Sequence, residues 1–181
     1  MKFSLNQFRR PTNGFAMPSD VLQAVLQHAD FAPAVSSYAE ICHAESSSAT
    51  ELADPYFAAY PPGIAAGTLE EAQSEMEETF ANEFGQLLEN ASFVASRQGR
   101  PIGAIFVVEK SIWDEDLFGP FIIDLFVDPL HQGHGLGHTL IAAAMSACKK
   151  HGANTLSLRI GDGTSGAALN LYKRLGFREL A

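Results

Sequence analysis

Residues 121–138 read Phe-Ile-Ile-Asp-Leu-Phe-Val-Asp-Pro-Leu-His-Gln-Gly-His-Gly-Leu-Gly-His, and an amphipathic helical pattern follows directly. Residues 121–127 are apolar apart from Asp124, which predicts a strand covered on both faces. The stretch from Gln132 to His138 then places its glycines at the predicted N-terminus of a helix. Glycines let a ligand approach the backbone, and the first helical turn offers unpaired N–H groups and the positive end of the helix dipole. The segment therefore predicts a binding site for a pyrophosphate.

The spacing of these glycines excludes two common phosphate-binding loops. A P-loop ends in Gly-Lys-Ser/Thr, whereas this loop has no lysine and no hydroxyl before Thr139. A dinucleotide fingerprint needs Gly-x-Gly-x-x-Gly and an acidic residue about 20 positions further on. Here the third glycine comes one position early, and no Asp or Glu lies between Asp128 and Asp162. What remains is Gln-x-x-Gly-x-Gly over residues 132–137, after a buried strand that ends in Val-Asp-Pro.

This pattern resembles the coenzyme A loop of the GNAT superfamily of acyl-CoA-dependent N-acyltransferases. Residues 165–177 extend the resemblance, because they are similar to the family's closing helix, in which a tyrosine lies five residues before a phenylalanine. In this chain those residues are Tyr172 and Phe177. The two motifs stand in the family's order, with a predicted helix and strand between them, and together they identify the chain as a member of the family.

The resemblance implies an α/β fold with a mixed, mainly antiparallel central sheet and helices on both faces. It also implies an enzyme, an N-acetyltransferase that uses acetyl-CoA as acyl donor and a primary amine as acceptor. Pantetheine would lie like an extra strand along Leu125, Phe126 and Val127. The pyrophosphate would lie on the backbone N–H groups of the loop, which belong to Gln132, Gly133, His134, Gly135, Leu136, Gly137, His138 and Thr139.

The catalytic residues follow from the same resemblance, with one departure. Tyr172 matches the tyrosine that protonates the coenzyme A sulfur in the family, although a helix tyrosine can also simply pack in a core. The positions at which several relatives carry a glutamate base are occupied by Ile123 and Arg159, which cannot accept a proton. Asp124 is the only ionisable side chain in the predicted strand, and apolar neighbours are expected to raise its pKa. It is either a general base or a structural hydrogen-bond acceptor, and an ordered water that takes the proton is a third alternative.

Two further departures have consequences for cofactor and assembly. Ser165 stands where many relatives have an asparagine, so the cofactor contact there is weakened or replaced, and Ser165 is also a predicted N-cap. The chain ends four residues after Phe177, whereas most relatives add a strand pair. The sheet is then either abbreviated at its C-terminus or completed by a second subunit in a homodimer. The missing glutamates also leave a rival function, a catalytically idle acyl-CoA-binding or regulatory module.

Composition limits the class of protein. The chain has 181 residues and 46% hydrophobic content, which predicts one domain over residues 1–181. No stretch reaches the ~20 apolar residues of a membrane span, and the first residues lack the apolar core of a signal peptide, so a soluble, cytoplasmic protein is expected. The formal net charge of -9 argues against a nucleic-acid partner and is compatible with a cationic acceptor. Two cysteines, Cys42 and Cys148, cannot make a disulfide framework.

Residues 1–91 are predicted to form a helical region on the acceptor side of residues 92–181, which form the sheet and the acyl-CoA core. Apolar spacing predicts one short helix after Ser19-Asp20 and a second from Val35 to Ile41. Residues 44–67 are rich in Ser, Ala, Pro and Gly, which argues against regular structure there. Within them lie three aromatic residues that either belong to a satellite core or line the acceptor pocket, namely Tyr56, Phe57 and Tyr60.

The remaining elements follow from periodicity and capping. Thr68 and Glu71 have capping-box spacing, which predicts a helix from about 69 to 84. Period-two patterns predict a hairpin of residues 92–97 and 102–109, and a strand at 155–160. Between them, the helix that follows the glycine loop is predicted to end at Gly152.

Three histidines in the loop raise the question of a metal. His131, His134 and His138 flank the glycines, but no Cys or carboxylate is arranged to complete a metal site. Exposed contacts to phosphate are the simpler role for these side chains. The sequence therefore predicts no metal cofactor.

Overall fold

A central sheet of seven strands organises the protein. The computed structural model describes residues 20–27, 36–60, 64–161 and 164–180. The strands are β1 (Val21–Val25), β2 (Glu40–His43), β3 (Phe93–Arg97), β4 (Arg100–Val108), β5 (Phe121–Val127), β6 (Thr155–Arg159) and β7 (Arg178–Glu179). Their order across the sheet is β2-β3-β4-β5-β6-β1-β7, and neighbours are antiparallel except for β5 and β6. The predicted mixed, mainly antiparallel sheet is confirmed.

Helices cover both faces of this sheet. In the described residues they are α1 (Ala49–Ala59), α2 (Leu69–Phe80), α3 (Leu136–Lys150) and α4 (Gly166–Arg174). Alternation along β4 divides the two faces, because successive side chains of a strand point to opposite sides. Ile105 and Val107 join the apolar core formed with α3 and α4, whereas Ala104 and Phe106 join the core formed with α1 and α2. The predicted helices on both faces are therefore also confirmed.

The predictions for the N-terminal region were wrong in secondary structure. The segment after Asp20 forms strand β1 instead of a helix, and the end of the second predicted helix lies in strand β2. Strand β1 pairs with β6 over its whole length, from Val21 opposite Arg159 to Val25 opposite Thr155. A short apolar run fits a covered strand as well as a helix, and the backbone partners that β6 supplies decide the outcome. Residues 28–35 lie outside the described residues.

The position of β1 also determines how the sheet continues beyond β6. β7 follows α4 directly and pairs with β1, from Gln23 opposite Arg178 to Leu22 opposite Glu179. Strand β1 therefore lies between β6 and β7, where a strand from the N-terminal region of the same chain extends the sheet. Strand β6 is therefore not an edge of the sheet, and the strand that follows α4, β7, is two residues long and forms one edge.

Helix α1 lies in the region where no regular structure was predicted. Pro55 is inside it, and a proline removes one intrahelical hydrogen bond. The helix forms nevertheless because one face is buried against the sheet and α2, including Leu52, Ala53 and Tyr56. Packing of a buried face contributes more to helix stability in proteins than local propensity does, which explains why composition misled the prediction.

Helix α2 begins as predicted and ends earlier. The Thr68 side chain accepts a hydrogen bond from the Glu71 N–H at 3.1 Å, and the Glu71 carboxylate accepts one from the Gly67 N–H at 2.6 Å. The helix ends at Phe80 instead of residue 84, since Asn82 adopts a left-handed φ of 67°.

The remaining predicted elements are confirmed within a few residues. Gln98 and Gly99 have φ values of 51° and 77°, as a two-residue type I′ turn requires, so the second strand of the hairpin begins at Arg100. Helix α3 ends before Gly152, whose φ is 87°. Among the residues that the structure describes, no helix combines the length and the apolar character of a membrane span.

Candidate active site

The glycine loop connects β5 to α3 through two left-handed glycines. Asp128 accepts a hydrogen bond from the Leu130 N–H at 2.8 Å, which turns the chain after the strand. Gly133 and Gly135 then have φ values of 79° and 77°, which L-residues rarely adopt. A Cβ atom at either position would meet nothing within 4 Å, so glycine is needed there for backbone conformation and the space above the loop is open.

Gly135 is the N-cap of α3 and has no side chain to cap the helix. The N–H groups of the first helical turn, from Leu136 to His138, therefore point toward the open space with the positive end of the helix dipole behind them. Thr139 uses its groups within the helix, because both its N–H and its Oγ1 donate to the Gly135 carbonyl, at 3.0 and 3.2 Å. The turn thus has the form of an anion site.

A cleft of about 480 Å³ lies beside this turn. Most of the residues predicted to bind the cofactor line it, namely Leu125, Phe126, Val127, Gln132, Gly133, Gly135, Leu136, Gly137, His138 and Ser165. Tyr172 lines the same cleft. His134, Thr139 and Asp124 do not line it. One continuous cavity thus joins the helix N-terminus to the end of β5 and to the closing helix.

The cleft exists because β5 and β6 separate. The two strands pair in parallel only at Phe121 opposite Ser157 and Ile122 opposite Leu158. Further along β5, Leu125 to Val127 line the cleft. The Gln132 side chain donates to the Val127 carbonyl at 3.0 Å and ties the glycine loop to the end of the strand. An extended ligand therefore has an extended backbone beside it, the arrangement by which an added strand binds to a sheet.

Tyr172 lies on α4 with 4% of its surface exposed. The five-residue spacing from the tyrosine to the phenylalanine of the motif has a structural cause, because residues 172–177 form the C-terminal cap of α4. The Phe177 N–H donates to the Tyr172 carbonyl at 3.0 Å, the Gly176 N–H donates to the Lys173 carbonyl, and Gly176 has a φ of 90°. This is a Schellman motif, and the rings of Tyr172 and Phe177 make its apolar contact at 5.9 Å.

The surroundings of Tyr172 keep its hydroxyl protonated. Burial raises the pKa of the phenol above its ordinary value, and the negative charge of Asp124 raises it further. Tyr172 is therefore a neutral donor over the whole physiological pH range. A group of this kind can donate a hydrogen bond or a proton to a base that forms inside the cleft.

Asp124 is 8% exposed and lies at the centre of the sheet. It accepts a hydrogen bond from the hydroxyl of Tyr60, which follows the last residue of α1. A second, smaller cavity is lined by Asp124 together with Tyr172 and Arg159. Asp124 thus lies between Tyr60, at the end of α1, and the smaller cavity that it shares with Tyr172.

The two positions that carry glutamates in several relatives hold no acid here. Ile123 is half-buried against the core of α1 and α2. The Arg159 guanidinium forms ion pairs with Asp20 before β1 and with Asp114 in the loop before β5. These contacts join three parts of the chain and neutralise Arg159 beside the smaller cavity. Neither position supplies a proton acceptor.

Two of the loop histidines, His131 and His134, contact Tyr38. The Tyr38 hydroxyl lies 2.9 Å from His131 Nδ1, and the His134 ring stacks on the Tyr38 ring with 3.8 Å between centroids. His138 lines the cleft. Within the described part of the chain, no group of three His, Cys, Asp or Glu side chains is placed to hold a metal ion.

The three aromatic residues that the sequence singled out around α1 have different environments in the structure. Tyr60 lines the cleft. Tyr56 is fully buried and donates to Glu75, and Phe57 is 40% exposed outside the cleft. Ser165 does cap α4, since its Oγ accepts from the Ala168 N–H at 3.1 Å. The contact of Tyr60 with Asp124 spans 64 residues, so no local pattern pointed to it.

Comparison with known proteins establishes the family. Residues 50–177 match the model described as the Acetyltransferase (GNAT) family, and the chain belongs to this family. It is 35% identical over 94 residues to an uncharacterized N-acetyltransferase of Methanocaldococcus jannaschii, which covers 50% of this chain and 40% of that protein. It is 32% identical over 103 residues to the ribosomal protein bS18-alanine N-acetyltransferase of Escherichia coli strain K12, which covers 57% and 64%.

The chain thus spans less than two thirds of the length of either relative. Among solved structures, a GCN5-related N-acetyltransferase from Sphaerobacter thermophilus superposes with a TM-score of 0.67 at 15% identity, covering 91% of this chain and 50% of that one. This likeness supports the fold alone.

Proposed function

We propose that this protein is an N-acetyltransferase that transfers an acetyl group from acetyl-CoA to a primary amine. The observation that carries the proposal is the cleft that the glycine turn of residues 133–137 shares with Tyr172. Family membership supports an acyl-CoA donor, and the relatives named as N-acetyltransferases support an amine acceptor. The proposal includes the cytoplasmic location that the sequence predicts.

The residues of the cleft fit the donor. The N–H groups of the first turn of α3 are suited to the pyrophosphate, because they are unpaired within the helix and carry the positive end of its dipole. Leu125 to Val127 offer an extended backbone to pantetheine on the strand that has separated from β6. Ser165 lines the far side of the cleft at the start of α4. In the proposed binding mode the thioester end of the donor lies toward Tyr172, which lines the same cleft.

Tyr172 is the proposed general acid. When the amine nitrogen attacks the thioester carbonyl, the carbon–sulfur bond breaks and the sulfur leaves as a thiolate that needs a proton. Tyr172 keeps its proton until that moment, since burial and the charge of Asp124 raise its pKa. Donation by a positioned acid contributes about 10²–10⁴-fold to such a step.

Asp124 is the proposed general base. It accepts the proton that the amine must lose, directly or through one water molecule, while Tyr172 gives a proton to the sulfur. One proton is taken up and one is released, and both groups return to their starting states by exchange with solvent. The position of Asp124 beside the smaller cavity with Tyr172 supports this pairing.

An acetyl-CoA titration followed by a thiol-release assay tests the function. Saturable binding below millimolar concentration is expected, followed by release of free coenzyme A with at least one member of a panel of amino acids, polyamines, aminoglycosides and peptides with free N-termini. Cys42 is free and exposed, so the assay is run on a Cys42→Ser variant, which removes this thiol from the signal. An absence of binding at millimolar acetyl-CoA contradicts the proposal. Binding without release across the panel supports the rival function, an idle acyl-CoA-binding or regulatory module.

A further inference from the structure

We propose that Tyr60 is a positioning residue that keeps Asp124 ionised and oriented for proton transfer. This inference deepens the proposed function and rests on it for its catalytic consequence. Tyr60 touches the carboxylate itself, and its side chain also lines the cleft in which Tyr172 lies. It therefore connects the α1 side of the molecule to the reacting end of the donor site.

Tyr60 is held in place from two directions. It follows the last residue of α1, where the backbone changes from helical to extended, and 7% of its surface is exposed. Its ring packs edge-on against the ring of Tyr56 one turn earlier, with 5.3 Å between centroids. Its hydroxyl donates to Oδ1 of Asp124. A side chain fixed at ring and hydroxyl alike holds Oδ1 of the carboxylate in one position.

The hydrogen bond also has an electrostatic consequence. A donor that faces a carboxylate favours its charged form, so the contact lowers the pKa of the Asp124 carboxyl relative to the same site without a donor. Asp124 needs this help because it lies in the interior of the sheet, where burial favours the neutral acid. A base must be ionised before it can accept a proton, and Tyr60 therefore widens the pH range in which Asp124 can act.

Other titratable and charged groups also surround Asp124. Tyr56 and Tyr172 are neutral, since burial raises the pKa of both phenols. Arg159 is paired with Asp20 and Asp114. Among the described residues, the titratable or charged side chains that face the carboxylate or the rings next to it include Tyr56, Tyr60, Glu75, Tyr172 and Arg159, from α1 and its C-terminal end, α2, α4 and β6.

The test compares Tyr60→Phe with Tyr56→Phe. Both variants remove one buried hydroxyl from the α1 region, but the Tyr56 hydroxyl donates to Glu75. In Tyr60→Phe the acid limb of the kcat/KM profile is expected to move to higher pH by about one unit, a tenfold loss at a fixed acidic pH. In Tyr56→Phe the limb is expected to stay within a few tenths of a unit of its original position. Circular dichroism and the melting temperature show whether each variant is folded.

A second readout does not depend on turnover. Carbon-13 NMR of labelled aspartate carboxyls, with Asp124→Asn to assign the signal, gives the pKa of Asp124 directly in each variant. A higher carboxyl pKa in Tyr60→Phe alone supports the proposal, even if no amine is acetylated and the proposed function fails. An unchanged pKa in Tyr60→Phe, or an equal rise in Tyr56→Phe, overturns it. A raised carboxyl pKa in Tyr60→Phe without a shift of the acid limb supports the effect of Tyr60 on Asp124. The same result shows that Asp124 is not the general base.

Discussion

Residues 121–177 and residues 20–91 contribute to the same cleft, but they are built in different ways. The first region presents backbone: left-handed glycines, a helix N-terminus and a strand that has separated from its neighbour. The second contributes side chains whose partners lie far away along the chain, such as Tyr60 on Asp124, 64 positions apart. Backbone sites depend on glycine spacing and helix ends, which a local stretch of sequence encodes. Side-chain sites depend on tertiary contacts, which a local stretch of sequence does not encode.

The largest effect is expected at Tyr172, where the two regions meet. Tyr172→Phe keeps the ring that packs on Phe177 and removes the hydroxyl, so kcat should fall by about a hundredfold or more with acetyl-CoA affinity nearly unchanged. Steady-state kinetics and a binding titration measure the two quantities. Full turnover in the variant would make Tyr172 a packing residue.

The wild-type pH profile sharpens the same assignment. A group whose pKa is raised above its ordinary value stays protonated to higher pH, so Tyr172 should produce no fall in kcat below about pH 10. A basic limb near pH 8 that disappears in Tyr172→Phe would contradict the neutral donor described above.

Substitutions in strand β1 test whether long-range contacts stabilise the N-terminal region. Leu22 is 5% exposed in the core with α3, so Leu22→Ala should lower the free energy of unfolding by about 2 kcal/mol or more. Val25 lies in the same strand but is 59% exposed, and Val25→Ala is the matched control with an expected cost below about 1 kcal/mol. Denaturant unfolding measures both. Equal small costs would show that β1 contributes little to the sheet.

A substitution at Gly135 tests whether backbone N–H groups form the donor site. Valine at a φ of 77° is strained by about 1–2 kcal/mol, and relief of that strain moves the N–H groups of Leu136 to His138. Gly135→Val should therefore weaken acetyl-CoA binding about tenfold. Gly152 has a φ of 87° at the other end of α3, also with no atom within 4 Å of an added Cβ. Gly152→Val should carry a similar strain and leave affinity unchanged, and equal affinities in the two variants would refute the anion site.

The same contrast explains which parts of the fold and site could be predicted. The strand, turn and helix from Phe121 to Lys150 follow from hydrophobic runs, glycines and charge placement that act within a few residues of one another. The apolar pattern of the segment after Asp20 fits a helix as well as a strand. The pairing of this segment with β6, which is distant in the chain, makes it a strand. Helix α1 was missed for a related reason, because its burial on the sheet outweighs Pro55.

At the candidate site, the sequence pointed to the loop and to Tyr172, which line one cleft, while the contact of Asp124 with Tyr60 could not be read from it. Tyr60 stood out as one of three aromatic residues in a segment with no apparent regular structure. Its hydroxyl reaches Asp124 because α1 ends over the centre of the sheet, and that depends on packing with α2 and β4. A residue whose role is set by packing has no local signature.

A crystal structure with coenzyme A tests the central claim most directly. The account predicts the pyrophosphate over the N–H groups of Gly133 to His138, pantetheine alongside Leu125 to Val127 in the gap between β5 and β6, and the sulfur facing the Tyr172 hydroxyl. Coenzyme A bound elsewhere, or bound in the cleft with its sulfur turned away from Tyr172, would contradict it.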